Sequence, residues 1–143
     1  MKATPLLTGW TCRHLGDTAP GRPVTLPHDA MLAEPRTALS AVGVNTGWYE
    51  GYDYEYQRTL TVPENELSDT HILEFEGVYH NAEVWLNGQK AAFRPYGYTN
   101  FYVDCAPFLR AGDNELRVIA RNADQPNSRW YSGAGLYRPV QLW

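Results

Sequence analysis

The sequence contains little cysteine and has no long hydrophobic run. Its two cysteines, Cys12 and Cys105, lie far apart in a chain of 143 residues. Two are too few for a disulfide framework, and the sequence favours buried free thiols in a reducing cytoplasm, with a single bridge as the alternative. No apolar run approaches the roughly 18 residues that a membrane-spanning helix needs, and the N-terminal residues lack the apolar core of a signal peptide. We therefore expect a cytoplasmic protein with no membrane partner.

Positive charge is also scarce, and lysine occurs only as Lys2 and Lys90. The formal net charge is −4, which gives no long-range attraction for phosphate backbones or anionic lipid surfaces. The sequence therefore argues against nucleic-acid binding and against binding to a membrane surface.

Residue types that bind metals or act as nucleophiles are present, but not in working patterns. The histidines are His14, His28, His71 and His80. No two of them have zinc-ligand spacing, and no cysteine pair lies near them. The segment Ser132–Gly135 is not a Gly-x-Ser-x-Gly nucleophile elbow, and no helix N-terminus follows it to hold phosphate. We predict no metal, no cofactor and no catalytic residue in this chain.

Length and composition predict one globular domain over residues 1–143. Hydrophobic residues make up 43% of the chain, enough for a core in a domain of this size. The 12 glycines and 10 prolines show no period, which favours a turn-rich fold over collagen or low-complexity disorder.

Alternation of apolar and polar residues predicts strands over much of the chain, because side chains on a strand point to opposite faces in turn. In the stretch 52–62 the predicted inward residues are Tyr52, Tyr54, Tyr56, Leu60 and Val62, and the outward ones are Asp53, Glu55, Gln57, Thr59 and Thr61. Further strands are predicted at 7–12, 23–26, 71–75, 82–86, 91–94, 101–105, 116–120 and 139–143, with a hairpin turn at Asn87-Gly88. About eight short strands indicate an all-β fold, a two-sheet antiparallel jelly-roll sandwich.

Two pairs of acidic residues have the spacing of a glycosidase pair. Glu74 and Glu76 lie two residues apart on one strand face, so their carboxyl groups are expected about 6.6 Å apart, within the range of inverting glycosidases. Asp53 and Glu55 repeat this spacing. We interpret both pairs as the solvated face of an antiparallel sheet, because an exposed carboxyl has no burial to raise its pKa for a general-acid role.

Two predicted loops, 28–51 and 122–136, are longer than ordinary connections, and long loops in compact domains often carry function. The second contains six candidate contact residues, Asp124, Asn127, Ser128, Arg129, Trp130 and Tyr131. Planar rings beside forked polar groups are typical of a sugar site. Alternatively, Trp130 and Tyr131 plug the end of the sandwich and Arg129 binds carbonyl groups. If both loops lie at one end, they form a contact surface.

Several motifs point in order to one family. They are Leu26–Asp29, Phe75–Val78, Val84–Gly88, Tyr96–Thr99, Leu109–Leu116 and Asn127–Arg138. Together they resemble the N-terminal sugar-binding domain of glycoside hydrolase family 2, the β-galactosidase and β-glucuronidase family, over nearly the whole chain. The resemblance implies a galactose-binding-like jelly roll. It also implies that two catalytic glutamates lie on a TIM barrel beyond an immunoglobulin-like domain, so that 1–143 is a domain excised from a longer glycosidase.

The resemblance implies a non-catalytic domain of a retaining exo-β-glycosidase. In that role the loop 122–131 reaches the barrel mouth, and the partners are the carbohydrate in the parent's active site and the downstream domains of the same polypeptide. One alternative is an autonomous carbohydrate-binding or assembly module, which would bind galactose, glucuronate or mannose by itself. Another is a contact surface in a homo-oligomer.

Overall fold

The computed structural model describes residues 2–30, 52–78, 81–95, 100–121 and 135–143. The strands within these ranges are β1 (Thr4–Pro5), β2 (Trp10–His14), β3 (Arg22–Val24), β4 (Asp53–Val62), β5 (Ile72–Phe75), β6 (Ala82–Leu86), β7 (Gln89–Arg94), β8 (Phe101–Asp104), β9 (Gly112–Arg121) and β10 (Val140–Leu142). Two short 3₁₀ helices are Glu64–Glu66 and Ala106–Phe108. The prediction of an all-β fold is confirmed. The predicted count of about eight strands is too low, and β1 was missed. β2 and β3 are shifted by one to three residues from their predicted bounds, and β9 begins four residues before its predicted start.

The strands form two antiparallel sheets. One has four strands in the order β1-β10-β5-β8, and the other has six in the order β3-β2-β4-β9-β6-β7. The central pair, β4 and β9, is in register from Asp53 opposite Arg121 to Val62 opposite Gly112. Because these two long strands carry ten consecutive pairs, they fix where the remaining strands of the larger sheet lie.

The core lies between the sheets and consists of the inward residues of both. Leu116, Val118, Val84 and Leu86 are all fully buried. From the smaller sheet come Leu73, Phe75, Phe101, Val103 and Val140. Truncating a buried leucine to alanine in such a core typically costs about 2 to 5 kcal/mol.

The inward face of β4 is as predicted except at Tyr52 and Arg58. Tyr54, Tyr56, Leu60 and Val62 are buried. Tyr52 is 37% exposed, because it precedes the strand and stacks on the His14 ring at 4.5 Å instead of entering the core. Arg58 interrupts the apolar series of this strand. Its guanidinium group donates hydrogen bonds to the carbonyls of Thr8 and Thr59, both at 2.8 Å.

The prediction of a solvated acidic face is wrong for Glu55, which is 2% exposed. Arg13 on β2 and Arg117 on β9 flank it, and their guanidinium groups donate to its two carboxylate oxygens at 3.0 and 2.5 Å. Long arginine side chains on the neighbouring strands cover the carboxylate while their own charged groups stay near water.

The same interpretation is wrong for Glu74, which is 8% exposed on the outer face of the smaller sheet. Tyr102 and Trp143, on or beside the neighbouring strands, reach across it with their polar atoms. Both corrections have one cause: large side chains on flanking strands can bury an outward carboxylate that alternation alone places in water.

The predicted hairpin is confirmed, with β6 and β7 joined at Asn87 and Gly88. Both residues have positive φ, 51° and 79°, as a tight hairpin turn of this type requires. Asn87 also anchors the turn to β9, because its side-chain oxygen accepts from the Glu115 amide at 2.9 Å.

A buried amide, Asn114, organises the end of the sandwich that contains this hairpin. Asn114 is 1% exposed. Its Nδ2 donates to the carbonyls of Leu60, Arg110 and Gly112, and its Oδ1 accepts from Asn87 and from the Arg110 amide. One side chain therefore satisfies backbone groups of a turn that strand pairing leaves open.

Cys12 and Cys105 are buried, and the two are not joined by a disulfide. The prediction of buried thiols is confirmed, and the alternative of a bridge between them is excluded. Burial raises the pKa of the Cys105 thiol to about 11, so this sulfur is not a nucleophile at neutral pH.

Candidate functional site: the loop end of the sandwich

The segments 31–51, 79–80, 96–99 and 122–134 lie outside the described residues, and the residues that flank them meet at one end of the sandwich. We call this the loop end and define it by Ala30, Tyr52, Arg121 and Gly135. The His28 amide donates to the Leu136 carbonyl at 2.8 Å, Asp53 pairs with Arg121, and Ala82 pairs with Ala120. The described flanks of both long loops therefore meet the condition, set by the sequence analysis, that the loops lie at one end.

The six predicted contact residues all fall within the segment 122–134. Asp124, Asn127, Ser128, Arg129, Trp130 and Tyr131 lie outside the described residues, and their role stays a prediction. What the structure describes is how the bases of the two long segments are held together.

Tyr56 is the centre of that attachment. Its hydroxyl lies 2.8 Å from Nδ1 of His28 and accepts a hydrogen bond from the Leu136 amide. Burial raises the pKa of Tyr56 well above its ordinary value, so the group stays a neutral hydroxyl. Burial also lowers the pKa of His28, an effect that the positive charge of Arg22 increases and the negative charge of Asp29 opposes. A neutral imidazole can accept the Tyr56 proton at Nδ1.

Gly135 is required beside this hydroxyl. Its φ of +88° favours glycine, and a Cβ at this position would collide with the Tyr56 hydroxyl. The backbone at Gly135 therefore lies against the Tyr56 side chain.

A cavity of about 220 Å³ lies beside the cluster. Its polar lining includes Arg13, His14, Asp17, Arg22 and His28. The volume is below the roughly 300 Å³ of ordinary ligand pockets. The described lining residues provide groups that can bind hydroxyls or carboxylates at the edge of this cavity.

Two described carboxylates near this end, Glu55 and Glu83, lack the pKa shift that a general acid needs. Burial would raise the pKa of Glu83, but the hydrogen bond and charge of Arg121, with Lys90 and Trp85, outweigh it and lower that pKa. Glu55 behaves in the same way between Arg13 and Arg117. A glycosidase general acid needs the opposite shift.

The described parts of the chain contain no group of three or more histidine, cysteine, aspartate or glutamate side chains that could hold a metal ion. No helix in them has the length and apolar character needed to cross a membrane.

Sequence reasoning missed the His28–Tyr56–Gly135 cluster. Alternation identified Tyr56 only as a core residue, and Leu26–Asp29 was noted only as a family motif. Two signals were available: a buried tyrosine, whose hydroxyl needs a hydrogen-bond partner, and a glycine next to an apolar residue. Neither signal shows that positions 28, 56 and 135 lie close together.

Comparison with known proteins gives consistent matches. A family model described as "Glycosyl hydrolase 2 galactose-binding domain-like" matches residues 14–135. Beta-galactosidase BoGH2A of Bacteroides ovatus is 39% identical over 140 residues, which cover 90% of this chain and 16% of that protein.

Solved structures agree. A β-glycosidase from Bacteroides vulgatus superimposes with a TM-score of 0.91 at 30% identity, covering all of this chain and 20% of that one. An FMN-binding β-glucuronidase from Facaelibacterium prausnitzii L2-6 gives a TM-score of 0.77 at 30% identity and covers 99% of this chain and 22% of that one. The chain spans about a sixth to a fifth of the length of these relatives.

Proposed function

Because this chain belongs to glycoside hydrolase family 2 and matches its galactose-binding-like domain, we propose that it is the non-catalytic N-terminal domain of a longer exo-β-glycosidase of β-galactosidase or β-glucuronidase type. Its loop end contributes to the substrate site and to contacts with the downstream domains of the same polypeptide. The hydrolytic carboxylates lie on those downstream domains.

The observation that carries the proposal is the convergence of the loop bases. The flanks of 31–51 and 122–134 are joined by the His28–Leu136 hydrogen bond and by the Asp53–Arg121 pair. Two long segments that share one end of a rigid sandwich are suited to reach a neighbouring domain, because loops held by a scaffold carry most binding residues.

The carboxylate electrostatics support the same assignment of roles. Glu55 and Glu83 are held in their ionised form by arginines, which is the opposite of what a general acid needs. In the proposed enzyme the barrel supplies the acid and the nucleophile, and neighbouring domains form walls around its open face. This domain then needs to contribute only groups that bind the substrate.

The test uses the longer enzyme that carries this chain. Alanine is placed singly at Asp124, Asn127, Ser128 and Arg129, and kcat/KM is measured on aryl β-galactoside and β-glucuronide. We expect kcat/KM to fall for at least one of the four substitutions, because each removes a hydrogen-bonding group from the segment that approaches the substrate.

The matched control is Glu64→Ala, an exposed substitution at the opposite end of the sandwich, which should leave kcat/KM unchanged. Unchanged kinetics for all four loop variants would contradict the substrate role. Turnover of either aryl glycoside by the purified 143-residue chain would contradict the non-catalytic role.

A further inference from the structure

The outer face of the smaller sheet holds two aromatic side chains on one buried carboxylate. Oε1 of Glu74 accepts from Nδ2 of Asn100 at 3.1 Å and from the Tyr102 hydroxyl at 3.3 Å. Oε2 of Glu74 accepts from the indole Nε1 of Trp143 at 2.9 Å. We call this surface the Glu74 face and define it by Glu74, Glu76, Tyr102, Gln141 and Trp143.

The arrangement fixes the two aromatic side chains while leaving ring surface in water. Tyr102 is 61% exposed even though its hydroxyl is hydrogen bonded to Glu74. Because the polar atoms of Tyr102 and Trp143 bind the same carboxylate, the rings lose the freedom that an exposed aromatic residue normally keeps. Ordering them in advance lowers the entropy cost of binding a ligand against them.

The charge of the face restricts what can bind. Its carboxylates are Glu74, Glu76 and Asp104, with Gln141 donating to Glu76 at 2.7 Å. Outward positions on the described residues of these four strands carry no lysine or arginine. The acidic outward positions of these strands therefore disfavour anionic partners such as phosphate polymers and uronic-acid chains.

The size of the face restricts the ligand further. Four strands about 4.8 Å apart span about 14 Å, and four residues along a strand span about 13 Å. The resulting area of about 200 Å² is well below the roughly 800 Å² per partner of a stable protein–protein interface. A ligand of a few rings fits this area, whereas a folded protein needs more.

From these observations we propose that the Glu74 face binds a neutral carbohydrate chain, separately from the loop end. The rings of Tyr102 and Trp143 pack against the apolar C–H faces of sugar rings, and Glu76 and Gln141 hydrogen bond to sugar hydroxyls. Glu74 acts as a positioning residue, because its three hydrogen bonds hold the aromatic platform. This site does not depend on the proposed role of the loop end, and its test uses different residues.

The experiment titrates the 143-residue chain with three neutral probes, cellohexaose, galactohexaose and mannohexaose, by calorimetry and by tryptophan fluorescence. We expect at least one to bind, and we expect Tyr102→Ala to weaken that binding about tenfold, or about 1.4 kcal/mol. Tyr102→Phe keeps the ring and should retain most of the affinity.

The matched control is Phe93→Ala, which removes an aromatic side chain that is 53% exposed on the other sheet and should bind like the unmodified chain. Circular dichroism of each variant confirms that it is folded. Absence of binding for all three probes overturns the proposal. Equal loss of affinity in Tyr102→Ala and Phe93→Ala, or none in either, also overturns it, as does tighter binding of polygalacturonate than of the neutral probes.

Discussion

The hydroxyl of Tyr56 lies 2.8 Å from Nδ1 of His28, and this contact joins the central strand β4 to the segment that leads into 31–51. The same hydroxyl accepts from the Leu136 amide, which follows 122–134. One buried side chain therefore fixes the bases of both long segments to the core, and changes at Tyr56 should affect both.

Replacing Tyr56 with phenylalanine removes this shared partner. We expect Tyr56→Phe to lower the free energy of unfolding by about 1 to 2 kcal/mol, since it leaves the Leu136 amide and the His28 ring without their buried partner. Urea denaturation measures the change. The control, Tyr52→Phe, alters a half-exposed tyrosine at the same end and should cost little. Equal effects of the two substitutions would contradict the assigned role of the Tyr56 hydroxyl.

Gly135→Ala should be more harmful than the same change at another positive-φ glycine. Gly135 and Gly16 have φ of +88° and +91°, but a Cβ would meet the Tyr56 hydroxyl only at Gly135, and at Gly16 it meets nothing within 4 Å. We expect about 1 kcal/mol of backbone strain in both variants and about 1 to 3 kcal/mol of additional steric cost at Gly135. Thermal unfolding of both variants checks this, and equal melting temperatures would refute it.

Asn114→Ala should destabilise the end of the sandwich opposite the loop end. The substitution leaves the carbonyls of Leu60, Arg110 and Gly112 without their buried donor. We expect a loss of about 2 to 4 kcal/mol in urea denaturation. The control is Asn65→Ala at an exposed position, where we expect little change. If Asn114→Ala lowers the free energy of unfolding no more than the control variant does, the Asn114 side chain does not stabilise this end of the sandwich.

Local patterns predicted the sheets well. Alternation located the long strand β4 and the partner strand β9, and Asn87-Gly88 located the hairpin, because these signals involve neighbours in sequence. The fold class followed from the number and spacing of such segments.

Contacts between distant strands were not predictable in this way. Alternation put Glu55 and Glu74 in water, yet Arg13, Arg117, Tyr102 and Trp143 cover them. The register between paired strands decides which long side chains meet an outward carboxylate. The alternation within one segment does not show which strands pair or in which register. The loop-end cluster was missed for the same reason, since residues 28, 56 and 135 meet only after the strands have paired.

Glu55 provides a test of the buried charges by pH. Burial opposes its ionisation, but the hydrogen bonds and charges of Arg13 and Arg117 outweigh that effect, so the pKa of Glu55 lies below its ordinary value of 4.5. A carboxyl whose pKa is lower in the folded state contributes stability that is fully present above the unfolded pKa and is lost as the pH falls through the folded one.

Glu55→Gln should therefore destabilise the chain in a pH-dependent manner. At about pH 7 we expect a loss of about 2 kcal/mol, since the neutral amide weakens two charge-assisted hydrogen bonds. As the pH falls below 4.5, the unmodified protein loses the Glu55 contribution while the variant has none to lose, so the gap between the two should narrow. Urea denaturation across this range measures it, with the exposed Glu64→Gln as the control. A gap that stays constant down to about pH 3 would mean that the arginines do not stabilise ionised Glu55 in the fold.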